Sequence, residues 1–329
     1  MQQQLHDLAA RFSLAPDAAA QLWKLADTQA APPDFAKRLA RLLIMAGALL
    51  IGVGAIFLIA ANWQQWGRMA KFGLLEVGLV GALVAAVALP KARVAALLLA
   101  TLLLGALLAF IGQSYQTGAD PWQLFAFWAL LSVPWMLAAR RDLLWTFWIS
   151  IVATGISLWI AARPGGLFDM LFRSYRYIGV DWLMWFSLVL VAYAIQRFGL
   201  AGNNAKWTLR LALMLALSTI TLYGSFALPN ERAQLYIVAL GLVAALLGLL
   251  WVQRPRDLAA LCVAVLSIDI LLIAGWARLL TYQGEGKSLD TFLLIGLGAA
   301  AIVGASVTLL LKLHRTAPAD SASLKGDAA

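Results

Sequence analysis

Two carboxylic acids of this chain sit where a carboxylate is expensive. Asp269 lies within "VAVLSIDILLIAG" and Glu76 within "KFGLLEVGLVGALV", both inside long apolar runs. A charge at the centre of a hydrocarbon layer costs at least a few kcal/mol, so such an acid has two readings. It is either a titrating group that couples to protons or cations, or a protonated hydrogen-bonding link between helices. Ser267 stands near Asp269 but cannot neutralise it, and Arg256 and Arg278 fall near opposite ends of the same run. Glu76 is shallower, within reach of Arg68. Asp269 is therefore the candidate intramembrane coupling acid.

A second concentration of chemistry is the burst "GQSYQTGADPWQLF", Gly112 to Phe125, between two apolar segments. Three of its residues have local roles. Gly118 suits a tight turn, Asp120 suits the N-cap of the following helix, and Pro121 suits that helix's first turn. Gln113, Tyr115, Gln116 and Thr117 keep hydrogen-bonding capacity that such roles leave unused. Asn62 and Trp63 close the first apolar block at the same level, and Glu76 lies about two turns into the second. Asn62, Trp63, Glu76, Gln113, Tyr115, Gln116 and Asp120 thus form a candidate polar vestibule. The alternative is a hydrogen-bonded plug that joins the first four spans.

Signatures of enzymatic chemistry are missing. The histidines, His6 and His314, stand far apart in sequence and in no HExxH arrangement. No Ser/His/Asp set, phosphate-binding loop or Cys/His metal spacing occurs, so no catalytic residue, metal or cofactor is assigned. Cys262 is the single cysteine and lies in an apolar block, which excludes an intrachain disulfide and reads as a small buried hydrophobe.

The elements that position these groups follow from composition. Of 329 residues, 63% are hydrophobic and 12% charged, too little polar surface for a soluble protein of this length. The apolar residues come in blocks of about 20, the length that crosses the hydrocarbon layer, and backbone groups in lipid must pair internally as helices. Ten spans are expected, near 42–61, 70–89, 94–112, 122–139, 143–162, 180–196, 207–227, 234–251, 257–278 and 291–311. The fold class is all-α, a polytopic transmembrane helix bundle. Only Arg140, Arg141 and Asp142 part the fourth block from the fifth. Residues 1–36 read as a short cytosolic helical lead, 37–313 as the bundle and 314–329 as a disordered cytosolic tail. The first block follows a polar lead and is too long for a signal peptide, so it is expected to stay as an anchor.

Many of the 14 Trp residues fall near span ends, as an interfacial belt requires: Trp63, Trp66, Trp122, Trp145, Trp182, Trp207, Trp251 and Trp276. Gly47, Gly52 and Gly54 permit close helix approach in the first span. The stretch "RPGGLFDMLFRSYRYIGVD" carries Phe168, Leu171, Phe172 and Tyr175 at helical spacing and reads as a helix lying on the membrane surface. The net charge of +9 does not point to nucleic acid, because the basic residues sit in short clusters between apolar blocks. Of the 25 Lys and Arg, 17 fall on the side of the N-terminus: Arg11, Lys24, Lys37, Arg38 and Arg41, then Lys91 and Arg93, Arg140 and Arg141, Arg197, Lys206 and Arg210, Arg254 and Arg256, and Lys312, Arg315 and Lys325. Both termini are therefore expected in the cytoplasm. The helical lead is too small to bury a core alone, and is expected to pack on the bundle or on a membrane-protein partner.

The segments "AGALLIGVGAIFLIAANW" and "LLGALLAFIGQSYQTGADPWQLFAFWALLSVPW" resemble a family of predicted bacterial membrane proteins, domain-of-unknown-function family 2157. The likeness rests on Ala61, Asn62 and Trp63, on the turn with Gln113, Tyr115 and Gln116, and on Asp120, Trp122, Leu124 and Phe125. It covers roughly residues 1–140 and implies a multi-pass protein of a bacterial cytoplasmic membrane, without supplying a reaction. Two functions stay open. One is a small-solute or ion transporter with a polar outer vestibule and Asp269 as coupling acid. The other is a non-transporting scaffold, sensor or complex subunit. The topology is checked by reporter fusions: those after Pro90 and Arg141 should read inside, and those after Gly118 and Asn230 outside. A cytoplasmic reading at Gly118 would reverse every side assignment.

Overall fold

A computed structural model describes residues 35–61, 65–115, 118–162, 178–202, 206–228, 233–252, 257–283 and 289–316. Among them are ten helices and no strand. In order they are α1 (Phe35–Ala61), α2 (Arg68–Ala88), α3 (Arg93–Tyr115), α4 (Pro121–Ala139) and α5 (Asp142–Ala161), then α6 (Ile178–Arg197), α7 (Trp207–Ala227), α8 (Ala233–Val252), α9 (Leu258–Gln283) and α10 (Leu289–Thr316). Among the described residues nine helices, α2 to α10, are long and apolar enough to cross a membrane, and α1 carries the apolar stretch Leu42–Leu58. The chain is a polytopic membrane protein, as the block lengths require. The lead before Phe35, the expected surface helix and the tail after Thr316 lie outside the described residues.

The break between α4 and α5 is made by backbone conformation. Arg140 takes a left-handed φ of 48° and its N–H closes α4 on the Met136 carbonyl at 3.2 Å. Two helices therefore form where the sequence leaves only three polar residues between apolar blocks.

The chain divides into two compact units, residues 1–103 and 104–329. In the first, a Cβ at Gly52 would stand 2.8 Å from Leu102 Cδ1, so this glycine sets the approach of α1 to α3. Gly47 and Gly54 meet nothing within 4 Å, so the packing role expected of all three falls to Gly52.

In the second unit α7 is the hub and packs against α5, α6, α8 and α9. One side of the hub places Leu213, Leu217, Ile220 and Tyr223 with Trp182, Val243, Leu261 and Leu271. The other places Ala212 and Ala216 with Ile149, Ala153, Trp185 and Leu188. Small residues on α7 let neighbouring backbones come close, which matters in lipid because apolar burial alone drives little association there. α10 is peripheral: it packs on α9, and Leu293 and Leu297 on it are about two-thirds exposed.

Two sequence expectations are corrected here. Trp145 and Trp182 are buried, so they act as struts between helices and not as interfacial anchors, whereas Trp207 stays exposed. The indole N–H of Trp145 donates to the Leu200 carbonyl at 3.0 Å. Cys262 is exposed on α9, so it is not the buried hydrophobe its apolar setting implied. In a membrane span an exposed thiol is a lipid-facing side chain, which sequence hydropathy cannot tell from a core one.

The hub fixes a stability prediction. A Cβ at Gly224 would stand 2.6 Å from Ala239 Cβ and 3.0 Å from Leu271 Cδ2. Gly224→Leu should destabilise the protein by about 1–3 kcal/mol, the usual cost of overpacking, seen as a lower melting temperature in detergent. An unchanged melt would show that α8 and α9 are not held against α7 at this point.

Candidate functional site

The polar burst begins in the last turn of α3, since Gln113 and Tyr115 are helical and not in a loop. Gly118 takes φ +63°, the left-handed turn that glycine adopts without penalty. Pro121 opens α4, where its missing N–H costs nothing. The expected cap is corrected. Asp120 stands at the N-cap position but its side chain makes no capping hydrogen bond. Instead its Oδ2 accepts the Trp122 indole N–H at 3.3 Å, and only its carbonyl joins the helix, accepting from Gln123 N at 3.0 Å.

A pocket of about 410 Å³ lies at this turn. Leu108, Ile111 and Gly112 of α3 form one wall, Gln123, Leu124 and Phe127 of α4 the other, and Gly118 to Pro121 the rim. Of the proposed vestibule residues, Asp120 lines it, whereas Gln113 and Tyr115 do not. Asn62, Trp63 and Gln116 lie outside the described residues. Glu76 belongs to the first unit, where it is exposed on α2.

Asp269 sits near the middle of α9 with 5% of its surface exposed. Its Oδ1 accepts a hydrogen bond from Ser306 Oγ on α10 at 2.6 Å. Ser267, the polar neighbour visible in sequence, turns its hydroxyl back to the Val263 carbonyl at 2.9 Å. The sequence places Asp269 inside the protein and leaves its partner open. Ser306 lies 37 residues away on another helix, where no spacing rule could pair it. The same region of α9 is tied twice more. Tyr236 donates to the Leu271 carbonyl at 2.8 Å, and Trp276 donates to the Leu294 carbonyl of α10 at 3.1 Å.

The strongest polar constellation escaped sequence reasoning altogether. The Asp142 carboxylate accepts the backbone N–H groups of Lys206, Trp207 and Thr208 at 2.9, 2.8 and 3.0 Å, and the Thr208 hydroxyl at 2.6 Å. It caps α7 from another helix, where the unpaired N–H groups and the positive end of the helix favour an anion. One turn on, Arg210 grips Asp257 through Nε at 2.9 Å and Nη2 at 2.9 Å, and lies 5.1 Å over the Trp207 ring. Asp257 in turn caps α9 through Ala259 N and Ala260 N. Aspartate just before an apolar run was the available signal for Asp257. For Asp142 there was none, because its partners are set by the packing of α5 on α7. Asp181, in the first turn of α6, is a further acid that the structure buries completely.

Chemically, the Asp142–Arg210–Asp257 network is a clamp: each of its charged groups is engaged with a helix end or with another charge. Among the described residues no group of His, Cys, Asp and Glu is arranged to hold a metal ion. Burial by itself would raise the Asp257 carboxyl, but hydrogen bonds from Arg210 and from the Ala260 and Ala259 N–H groups outweigh it and hold the group below its ordinary value. A depressed carboxyl stabilises the fold above the unfolded value of about 3.9 and loses that contribution as pH falls through the folded one. Parent protein should therefore resist urea better than Asp257→Asn at pH 7, with the gap narrowing below about pH 4. For Asp142→Ala, which leaves several donors without an acceptor, the expected loss is about 1–3 kcal/mol. Parent-like unfolding of both variants at pH 7 would show that the clamp does not hold the bundle.

No curated protein and no solved structure matches the chain. Residues 6–145, which include the turn at Gly118 and the clamp residue Asp142, match the family described as predicted membrane protein, DUF2157.

Proposed function

We propose that the protein resides in a bacterial cytoplasmic membrane with both termini inside, and that it moves a small solute or ion using Asp269 as the coupling acid. The excess of Lys and Arg on the N-terminal side supports the orientation. The observation that carries the transport reading is the placement of Asp269: buried at mid-span, hydrogen-bonded to Ser306, and joined to no basic side chain among the described residues. A carboxyl so placed changes its hydrogen bonding when it gains or loses a proton. As a carboxylate it accepts from Ser306 and from any cation that reaches it. As an acid it can donate. That change acts on the bond between α9 and α10, a helix that packs on α9 at the edge of the second unit. With Asp120 at the pocket between α3 and α4, the arrangement offers a point of entry and a point of coupling.

A second reading is favoured by one specific feature: Asp269 does not line the pocket between α3 and α4. In it the Asp269–Ser306 bond is a fixed link between two helices of a non-transporting subunit, since such bonds contribute about 0.6 kcal/mol on average in lipid.

Asp269→Asn separates the two, because asparagine keeps the hydrogen-bonding shape and cannot exchange a proton. In proteoliposomes loaded with a pH-sensitive dye and challenged with alkali cations, amino acids and small amines, the parent should show solute-driven pH changes. The variant, with an unaltered melt, should lose them by at least about tenfold, the loss expected when one essential proton-transfer group is removed. Solute-driven signals of equal size from parent and variant would overturn the coupling role.

A further inference from the structure

We propose that the pocket between α3 and α4 binds an organic cation with an apolar body, of the alkylammonium class. This deepens the transport reading by naming its substrate class, and it rests on that reading for its purpose.

The argument starts from spacing. Asp120, Gln123, Leu124 and Phe127 follow one another at i, i+3, i+4 and i+7, one face at the start of α4. Leu108, Ile111 and Gly112 keep the same spacing on α3, and both sets line the pocket. Polarity is graded along it. Asp120 and Gln123 stand at the turn, whereas Leu124 and Phe127 lie deeper, about 10 Å from Asp120 to Phe127 at 1.5 Å per residue. The single charged side chain among the lining residues is the carboxylate of Asp120. It is held by the Trp122 indole N–H, which fixes its position without neutralising it. A ligand that complements this gradient carries a positive head at the rim and hydrocarbon below, where the ring of Phe127 adds apolar surface.

The rest of the pocket suits such a ligand. Its apolar wall is continuous with the lipid-facing surface, since Phe127, Leu130 and Leu131 are exposed on α4. A hydrophobic cation held at a membrane surface would therefore reach it laterally. Gly112 supplies the room: a Cβ there meets nothing within 4 Å. Gly118 is fixed by its positive φ, so the rim cannot be closed by a larger residue at that position without strain.

The probe is tritiated decyltrimethylammonium, bound at equilibrium to the full chain in phosphatidylcholine nanodiscs, with empty nanodiscs subtracted. Saturable binding is expected. Asp120→Asn, which keeps the side-chain shape, should weaken it by about tenfold, and Asp120→Glu should restore much of it. Gly112→Leu, whose side chain enters open space in the pocket, should abolish binding while the melt stays near the parent's. Decyl sulfate should fail to compete. Absence of saturable binding, parent-like affinity of Asp120→Asn, or equal competition by decyl sulfate would each overturn the assignment. So would native mass spectrometry that finds a retained phosphatidylcholine molecule in place of the probe. Binding is read without any gradient, so its loss beside intact solute-driven pH changes sinks this inference alone. Intact binding beside unaltered flux in Asp269→Asn sinks the coupling role alone.

Discussion

The absence of water in the hydrocarbon layer governs this protein. A backbone or hydroxyl group left without a partner there costs several kcal/mol, so polar groups have to be satisfied from within. The helices meet that requirement for the backbone. Many hydroxyls meet it by folding back on their own helix. Thr101 bonds to the Leu97 carbonyl, Thr154 to Ser150, Ser157 to Ala153 and Ser225 to Thr221, each four residues earlier. These hydroxyls are spent on their own helix and are not left to bind elsewhere.

Against that background the exceptions stand out. Helix ends cannot satisfy themselves, and the second unit meets the need at one end with two carboxylates, one borrowed across the fold and one at its own helix start. Asp142 closes α7 from α5, and Asp257 closes α9 while it is gripped by Arg210 of α7. Two helices, α5 and α9, are thereby joined at one level to the hub that carries the core. The other end has no such clamp among the described residues. There the turn at Gly118 leaves a carboxylate at the mouth of an apolar pocket.

Asp269 belongs to neither end. It bonds across to α10, a helix attached through α9 and otherwise facing outward. Bonds of modest strength at the edge of a bundle can rearrange without disturbing its core.

How much of this was legible in the chain follows from which interactions are local. Span length and hydropathy fix the helices, because the width of the bilayer and backbone pairing in lipid leave no alternative. The Gly118 turn and Pro121 at the start of α4 were legible for the same reason: each is decided within a few residues. Asp269 was marked as unusual by its surroundings alone. The tertiary structure decided the partners. Ser306 for Asp269, the helix end for Asp142 and Arg210 for Asp257 are pairings across distant helices, and hydropathy is blind to them. It also decided facing, which no average hydrophobicity can give in lipid. Trp145 went inward, Cys262 outward, and Asp120 turned to Trp122 instead of its own helix. A membrane makes helices from composition, while the side-chain geometry between those helices determines which polar groups are structural and which are left free to act.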